Sequence, residues 1–193
     1  MRKIGLIVNP IAGMGGAVGL KGTDGDVYEE ALDLGADPVT PSRTKDFLSS
    51  IEEDEGFLFL VGSNEMGENC LEDFNFTYRV VEEVEGRTTA EDTKRIASKM
   101  LDLGVDLIVF VGGDGTARDV YDSVDQEVPV IGIPGGVKIF SSVFAVSARA
   151  AAELFGSYLS GADFTEREVL DIDEVDFRDG SLSSELYGYL NVV

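Results

Sequence analysis

The residues with the most chemical meaning stand together at Gly112-Gly113-Asp114-Gly115-Thr116. Glycines let a phosphate chain approach the backbone with no Cβ in the way. The run follows the apolar stretch Leu107-Ile108-Val109-Phe110-Val111, of strand length, and precedes a helical pattern over residues 117–123. A helix starting there offers free N–H groups and a dipole that favours anions. Asp114 cannot hold a phosphate directly, because both are negative. Its useful roles are general base toward a hydroxyl, or water-mediated partner of Mg²⁺. Thr116 can donate to a phosphate oxygen. A plain glycine turn with an Asx cap is the simpler reading, and the strand–loop–helix context argues against it.

Other loops carry weaker signals. Residues 9–25 hold Asn9, then Gly13, Gly15, Gly16, Gly19, Gly22 and Gly25, with Lys21 as a point charge able to meet phosphate. Loops of this length usually have a function. No Gly-Lys-Ser/Thr ends the segment, so it is not a Walker A loop. A third set is Gly135, Gly136 and Lys138, with Ser141 and Ser142 close by. Gly62-Ser63-Asn64-Glu65 is a strand-end turn at the border of any pocket. Asp119 and Asp122 read as a solvated helix face. Asp171, Asp173 and Asp176 read as alternate strand residues on an acidic surface, so no protein metal site is assigned.

Composition limits the chemistry further. The 193 residues carry 15 Lys+Arg against 37 Asp+Glu, a formal net charge of -22. Such a surface repels nucleic acid and anionic membranes. A polyanionic substrate must then be held by local backbone N–H groups, a few cations and Mg²⁺. A solvated acidic surface is one reading of the charge, and a high-salt cytoplasm is the sharper one. With no His, proton transfer falls to a carboxylate, Lys, Tyr or Cys. Cys70 is the only cysteine, which excludes an intrachain disulfide and fits a reducing, cytoplasmic setting. No apolar run reaches the roughly 20 residues of a membrane span.

The elements that must position these residues follow from pattern. Continuous apolar runs at residues 4–8, 57–61, 107–111 and 128–133 read as strands buried on both faces. Residues 77–84 read as a further strand. Helical patterns fall at 27–34, 42–51, 65–70, 117–123 and 148–160, the last capped by Ser147. Another helix runs toward Gly104 from a capping box at Thr88 and Glu91. Pro38 and Pro41 end the first of these segments. This alternation predicts an open, mostly parallel α/β sheet, with ligands beyond the carboxyl ends of its strands. Residues 1–163 form the expected nucleotide-phosphate-binding domain. Residues 164–193 read as a hairpin, the first strands of a β-rich second domain belonging to a longer chain.

The Gly112–Thr116 segment resembles the GGDGT signature shared by NAD kinases and by diacylglycerol and sphingosine kinases. Gly5-Leu6-Ile7-Val8-Asn9-Pro10-Ile11-Ala12-Gly13-Met14-Gly15-Gly16 is similar to the amino-terminal signature of the ATP-NAD kinase-like branch common in archaea, which is related to the AcoX proteins. Gly132-Ile133-Pro134-Gly135-Gly136-Val137-Lys138 and residues 140–147 resemble the next block of that branch. The resemblance implies a Rossmann-like amino-terminal domain. It implies phosphoryl transfer from ATP, with Mg²⁺, or from polyphosphate, to the adenosine ribose 2′-hydroxyl of NAD, in a homo-oligomer. Asp114 aligns with the family's proposed base, so Asp114→Asn is expected to abolish turnover and spare folding. The superfamily also implies two alternatives: a lipid or other small-molecule kinase, or a non-catalytic nucleotide-binding protein.

Overall fold

The computed structural model describes residues 1–14, 33–52, 56–136, 139–172 and 184–193. The apolar runs become the inner strands: β1 (Arg2–Val8), β2 (Phe57–Gly62), β4 (Leu107–Gly112) and β5 (Val130–Pro134), with β3 (Tyr78–Glu82) outside β2. All of these pair in parallel. A hairpin of β6 (Thr165–Ile172) and β7 (Ser184–Val192) completes a seven-stranded sheet of order β3-β2-β1-β4-β5-β7-β6. The expected open, mostly parallel α/β architecture is therefore present. The strand order reverses between β1 and β4, and the crevice beyond their carboxyl ends is where such sheets bind ligands.

Side chains alternate between the two faces with the period of a strand. Ile4, Leu6 and Val8 of β1 and Leu107, Val109 and Val111 of β4 pack with Phe47, Phe57, Phe59 and Phe155. Helices α1 (Thr40–Leu48) and α5 (Ala148–Leu159) cover that face. The rings meet edge-on, Phe47 to Phe155 at 5.8 Å and Phe57 to Phe155 at 5.4 Å between centroids, which is the geometry aromatic quadrupoles favour. On the opposite face Ile7, Ile108 and Phe110 meet Ile96 and Met100 of α3 (Ala90–Asp102) and Ala117 and Val120 of α4 (Asp114–Val124). A short α2 (Glu68–Leu71) follows a 3₁₀ turn at Asn64–Met66.

Several boundaries differ from the pattern reading, each for a local reason. Helix α1 begins at Thr40, so Pro41 lies in its first turn. Proline is tolerated there because that N–H has no intrahelical partner. The capping box of α3 sits one residue later than expected. Thr89 is extended, and its N–H and hydroxyl donate to Asp92 at 2.8 and 2.7 Å. Ser147 caps α5 as read, accepting from the Ala150 N–H at 3.1 Å. Residues 27–32 of the first helical pattern lie outside the described residues.

The hairpin joins the sheet by a single parallel rung, Val130 to Val192. The remaining contact is made by side chains and by a connecting segment. Val169, Leu190 and Val192 enter the core under α4. The Tyr187 hydroxyl donates to Asp122 at 2.8 Å, and Asn191 donates to the Gln126 carbonyl at 2.9 Å. Residues 142–145 are strung between β5 and β6. Ala145 N–H donates to the Gly132 carbonyl at 2.8 Å, and Ser142 N–H donates to the Glu168 carbonyl at 2.9 Å.

Candidate functional site

The site is assembled where β1 and β4 end. β1 delivers Asn9, whose backbone N–H donates to the Val111 carbonyl at 3.0 Å. Its side-chain amide donates to Thr116 Oγ1 at 3.0 Å, and its Oδ1 accepts from the Ile11 N–H at 3.2 Å. Its carbonyl accepts from the Thr40 hydroxyl at 2.9 Å. One asparagine therefore ties the loop after β1 to the loop after β4 and to the start of α1. Thr116 and Thr40 are both buried. Thr116 Oγ1 accepts the bond from Asn9 and so belongs to the frame of the site, while its own O–H remains a donor.

The motif is shorter as a loop than its sequence suggests. Helix α4 starts at Asp114, with Gly113 as its extended cap, so Asp114, Gly115 and Thr116 form the first helical turn. The N–H groups of a first turn have no intrahelical partner and point out beyond the strand ends. The glycines divide into two kinds. A Cβ on Gly112 would fall on the Thr116 side chain, and one on Gly13, at φ +82°, would fall on the Gly135 carbonyl. A Cβ on Gly135 would lie 2.6 Å from Thr40 Cγ2, and one on Gly136 3.1 Å from Gly13 Cα. Gly13, Gly135 and Gly136 let backbones approach one another, and Gly112 makes room for the Thr116 side chain. At Gly113 no atom lies within 4 Å of the added Cβ, and at Gly115 only Arg118 Nη2 does, at 3.7 Å. These two present the open surface available to a ligand.

Asp114 is half-buried. Its Oδ2 accepts from the Phe140 N–H at 2.9 Å and its Oδ1 from the Ser141 N–H at 2.8 Å. Gly135 N–H donates to the Gly112 carbonyl at 2.7 Å. The loop after β5 is therefore brought to the motif, as the sequence indicated. Gly15, Gly16, Lys21 and Lys138 lie outside the described residues. The turn after β2 is bonded toward β3. Ser63 Oγ accepts from Val84 N–H at 2.8 Å, and its N–H donates to Glu82, which knits β2 to β3.

Arg118 was not singled out by sequence, although it follows Asp114 by one helical turn and so shares its face. Its Nη1 bonds to Asp171 of β6, and its guanidinium lies 5.9 Å from the centre of the Tyr187 ring. The fork has further N–H donors, with Nη2 turned toward Gly115. Asp122 is exposed, as read, and it is also paired. Lys94 donates to it at 2.8 Å, and so does the Tyr187 hydroxyl. Partial burial opposes ionisation of the Asp122 carboxyl, yet these hydrogen bonds hold it below the usual carboxylate range. The same bond pushes the Tyr187 phenol up.

No group of three or more His, Cys, Asp or Glu able to hold a metal occurs among the described residues. The one carboxylate of the motif already holds two backbone N–H groups. These residues do not fit a protein cage for Mg²⁺. Among the described residues no helix is long and apolar enough to cross a membrane.

The fold and site define an open, parallel α/β domain with glycine loops gathered at its strand-order reversal. The chain belongs to the ATP-NAD kinase N-terminal domain family, whose model matches residues 4–162. No curated protein matches it. Similar solved structures include a Bacillus anthracis str. Sterne protein assigned as a diacylglycerol kinase, at 18% identity and a TM-score of 0.43, covering 89% of this chain and 45% of that one. A second, from the diacylglycerol kinases of the same strain, gives 19% identity and a TM-score of 0.38, covering 89% and 42%. The chain thus spans less than half the length of these structures.

Proposed function

We propose that this chain is the nucleotide-binding part of an NAD kinase, transferring a phosphoryl group from ATP, or polyphosphate, to the adenosine ribose 2′-hydroxyl of NAD. The bond from the 2′-oxygen to phosphorus forms, the bridging bond to the donor's terminal phosphorus breaks, ADP or the shortened polyphosphate leaves, and the hydroxyl proton passes to solvent. The observation that supports this most is the joining of Asn9, Thr116 and Asp114 at the β1–β4 reversal in a chain of this family. Open backbone at Gly113 and Gly115, the first-turn N–H groups of α4 and the Arg118 fork suit a phosphate chain in an otherwise acidic molecule. Such transfer depends on positioning and on neutralising charge more than on a strong base. Mg²⁺ enters as the companion of ATP, and no step here relies on a protein-held ion.

The proposal includes a division near residue 163, with residues 164–193 opening a β-rich region on the acceptor side. It also includes a cytoplasmic setting, expected from the lone Cys70, and a homo-oligomer, expected from the resemblance. The native protein incubated with MgATP and NAD, and separately with polyphosphate and NAD, is expected to form NADP. ATP consumption only with another acceptor would replace NAD in the reading, and no ATP binding at all would remove the kinase.

A further inference from the structure

Asp114 presents a choice that the proposed reaction leaves open. A general base needs an oxygen directed at the acceptor hydroxyl. Here each carboxylate oxygen holds a backbone N–H of one connecting segment, Phe140 at 2.9 Å and Ser141 at 2.8 Å. That segment continues to the hairpin through two serines. Ser141 is buried, and its Oγ accepts from the Leu170 N–H at 2.9 Å. This bond falls where the β6–β7 register shifts, between Val169 and Leu170. Ser142 bonds Glu168 in both directions, its Oγ accepting from Glu168 N–H at 2.9 Å and its N–H donating to the Glu168 carbonyl at 2.9 Å. A second tie runs directly from α4 to β6, through Arg118 and Asp171.

We propose that Asp114 is a positioning residue: its carboxylate clamps the Phe140–Ser141 backbone and, through Ser141 and Ser142, sets the hairpin relative to the phosphate loops. This rests on the kinase reading for its consequence in catalysis, and on geometry alone for the clamp. The connecting segment is the main backbone bridge between β5 and the hairpin, since β5 and β7 share one rung and β6 lies beyond β7. Losing the carboxylate therefore frees both ends. An asparagine at this position keeps one acceptor oxygen but turns an NH₂ toward the second N–H, which leaves that donor unpaired. A buried donor left unpaired weakens an equilibrium by about tenfold or more.

The test is amide hydrogen exchange on the ligand-free protein, compared between wild type, Asp114→Asn and Ser141→Ala. The clamp predicts about tenfold faster exchange in Asp114→Asn at Phe140 and Ser141 and also at Glu168 and Leu170. Ser141→Ala, which leaves the carboxylate in place, should loosen Leu170 alike and covers the case in which the Asn variant does not fold. Unchanged exchange at Glu168 and Leu170 in both variants overturns the proposal. Kinetics give the second readout: both variants should raise the NAD KM about tenfold as well as lower kcat. An NAD KM unmoved in both variants would overturn the clamp's role at the acceptor side, whatever kcat does, because a carboxylate holding one N–H on each oxygen keeps lone pairs for a hydroxyl proton. If the wild type forms no NADP, the kinase reading fails, while exchange still decides the clamp.

Discussion

The two joints that frame the site are made differently. At the β1–β4 reversal the parts meet closely, with the Gly13 backbone against that of Gly135 and Gly112 under the Thr116 side chain. Beneath them lie strands whose inner residues are fully buried. At the hairpin three side chains, Val169, Leu190 and Val192, reach the core, and the rest of the joint is one ladder rung, the 142–145 segment and a set of polar side chains on α4. Packed joints of the first kind fail as a unit, because each atom supports its neighbours. Joints of the second kind loosen bond by bond, each contributing about 1 kcal/mol. The glycine loops are thereby fixed by the core, while the polar part of the hairpin joint can loosen without unfolding it.

The largest test of this contrast is Phe59→Ala. Phe59 is fully buried in β2, with ring centroids 5.3 Å from Phe57 and 5.4 Å from Phe76. Truncation should cost about 3–5 kcal/mol, read as a lower denaturant midpoint for the whole molecule. A midpoint within ~1 kcal/mol of wild type would show the packed half is not cooperative.

Gly13→Ala should have the next largest effect. It meets both a positive φ and the Gly135 carbonyl, and strained positions of this sort cost about 1–3 kcal/mol. Gly35→Ala is the control, at φ +81° with nothing within 4 Å, and should cost only the backbone term of about 1 kcal/mol. Thermal melts compare the two, and ATP affinity should fall in Gly13→Ala alone. Equal melting losses would mean that the approach of Gly13 to Gly135 is not a tight joint.

The packed half was legible in the sequence because its signals are local. Runs such as residues 107–111 can be buried on both faces only in a covered parallel sheet, and a glycine run between strand and helix marks the loop. The family resemblance adds which loops belong together. The use of each residue was less legible. Glycines read as room for phosphate proved partly to be room for other backbones, as at Gly13 and Gly135. The Thr40 hydroxyl joins Asn9 across 31 residues, and the Asp114 bonds span 26 and 27. No periodicity carries such pairings, since they arise only when strand order brings loop ends together. Arg118 was within reach, because a cation four residues after Asp114 must share its helix face.

Acid offers the gentlest probe of the hairpin joint. The Asp122 carboxyl is held below its usual range in the folded chain by Lys94 and Tyr187, against the opposing effect of burial. A depressed carboxyl adds stability that is fully present above the unfolded value of about 3.9 and is lost as pH falls through the folded one. The window therefore opens near pH 4 and extends downward. Asp122 is 30% exposed on its side chain, so solvent screening limits the effect to less than about 1 kcal/mol. Asp92 is depressed too, through Thr89 and Arg95 and likewise against burial, but its loss acts at the cap of α3. Protection factors, taken against the slower intrinsic exchange in acid, should therefore fall at residues 184–192 as pH drops below about 4, while those of β1 and β4 hold. In Asp122→Asn that segment should be looser at neutral pH and respond less to acid. An equal acid response in variant and wild type would mean that the bonds to Tyr187 and Lys94 do not hold the hairpin, leaving the Arg118–Asp171 pair and the 142–145 segment to do so.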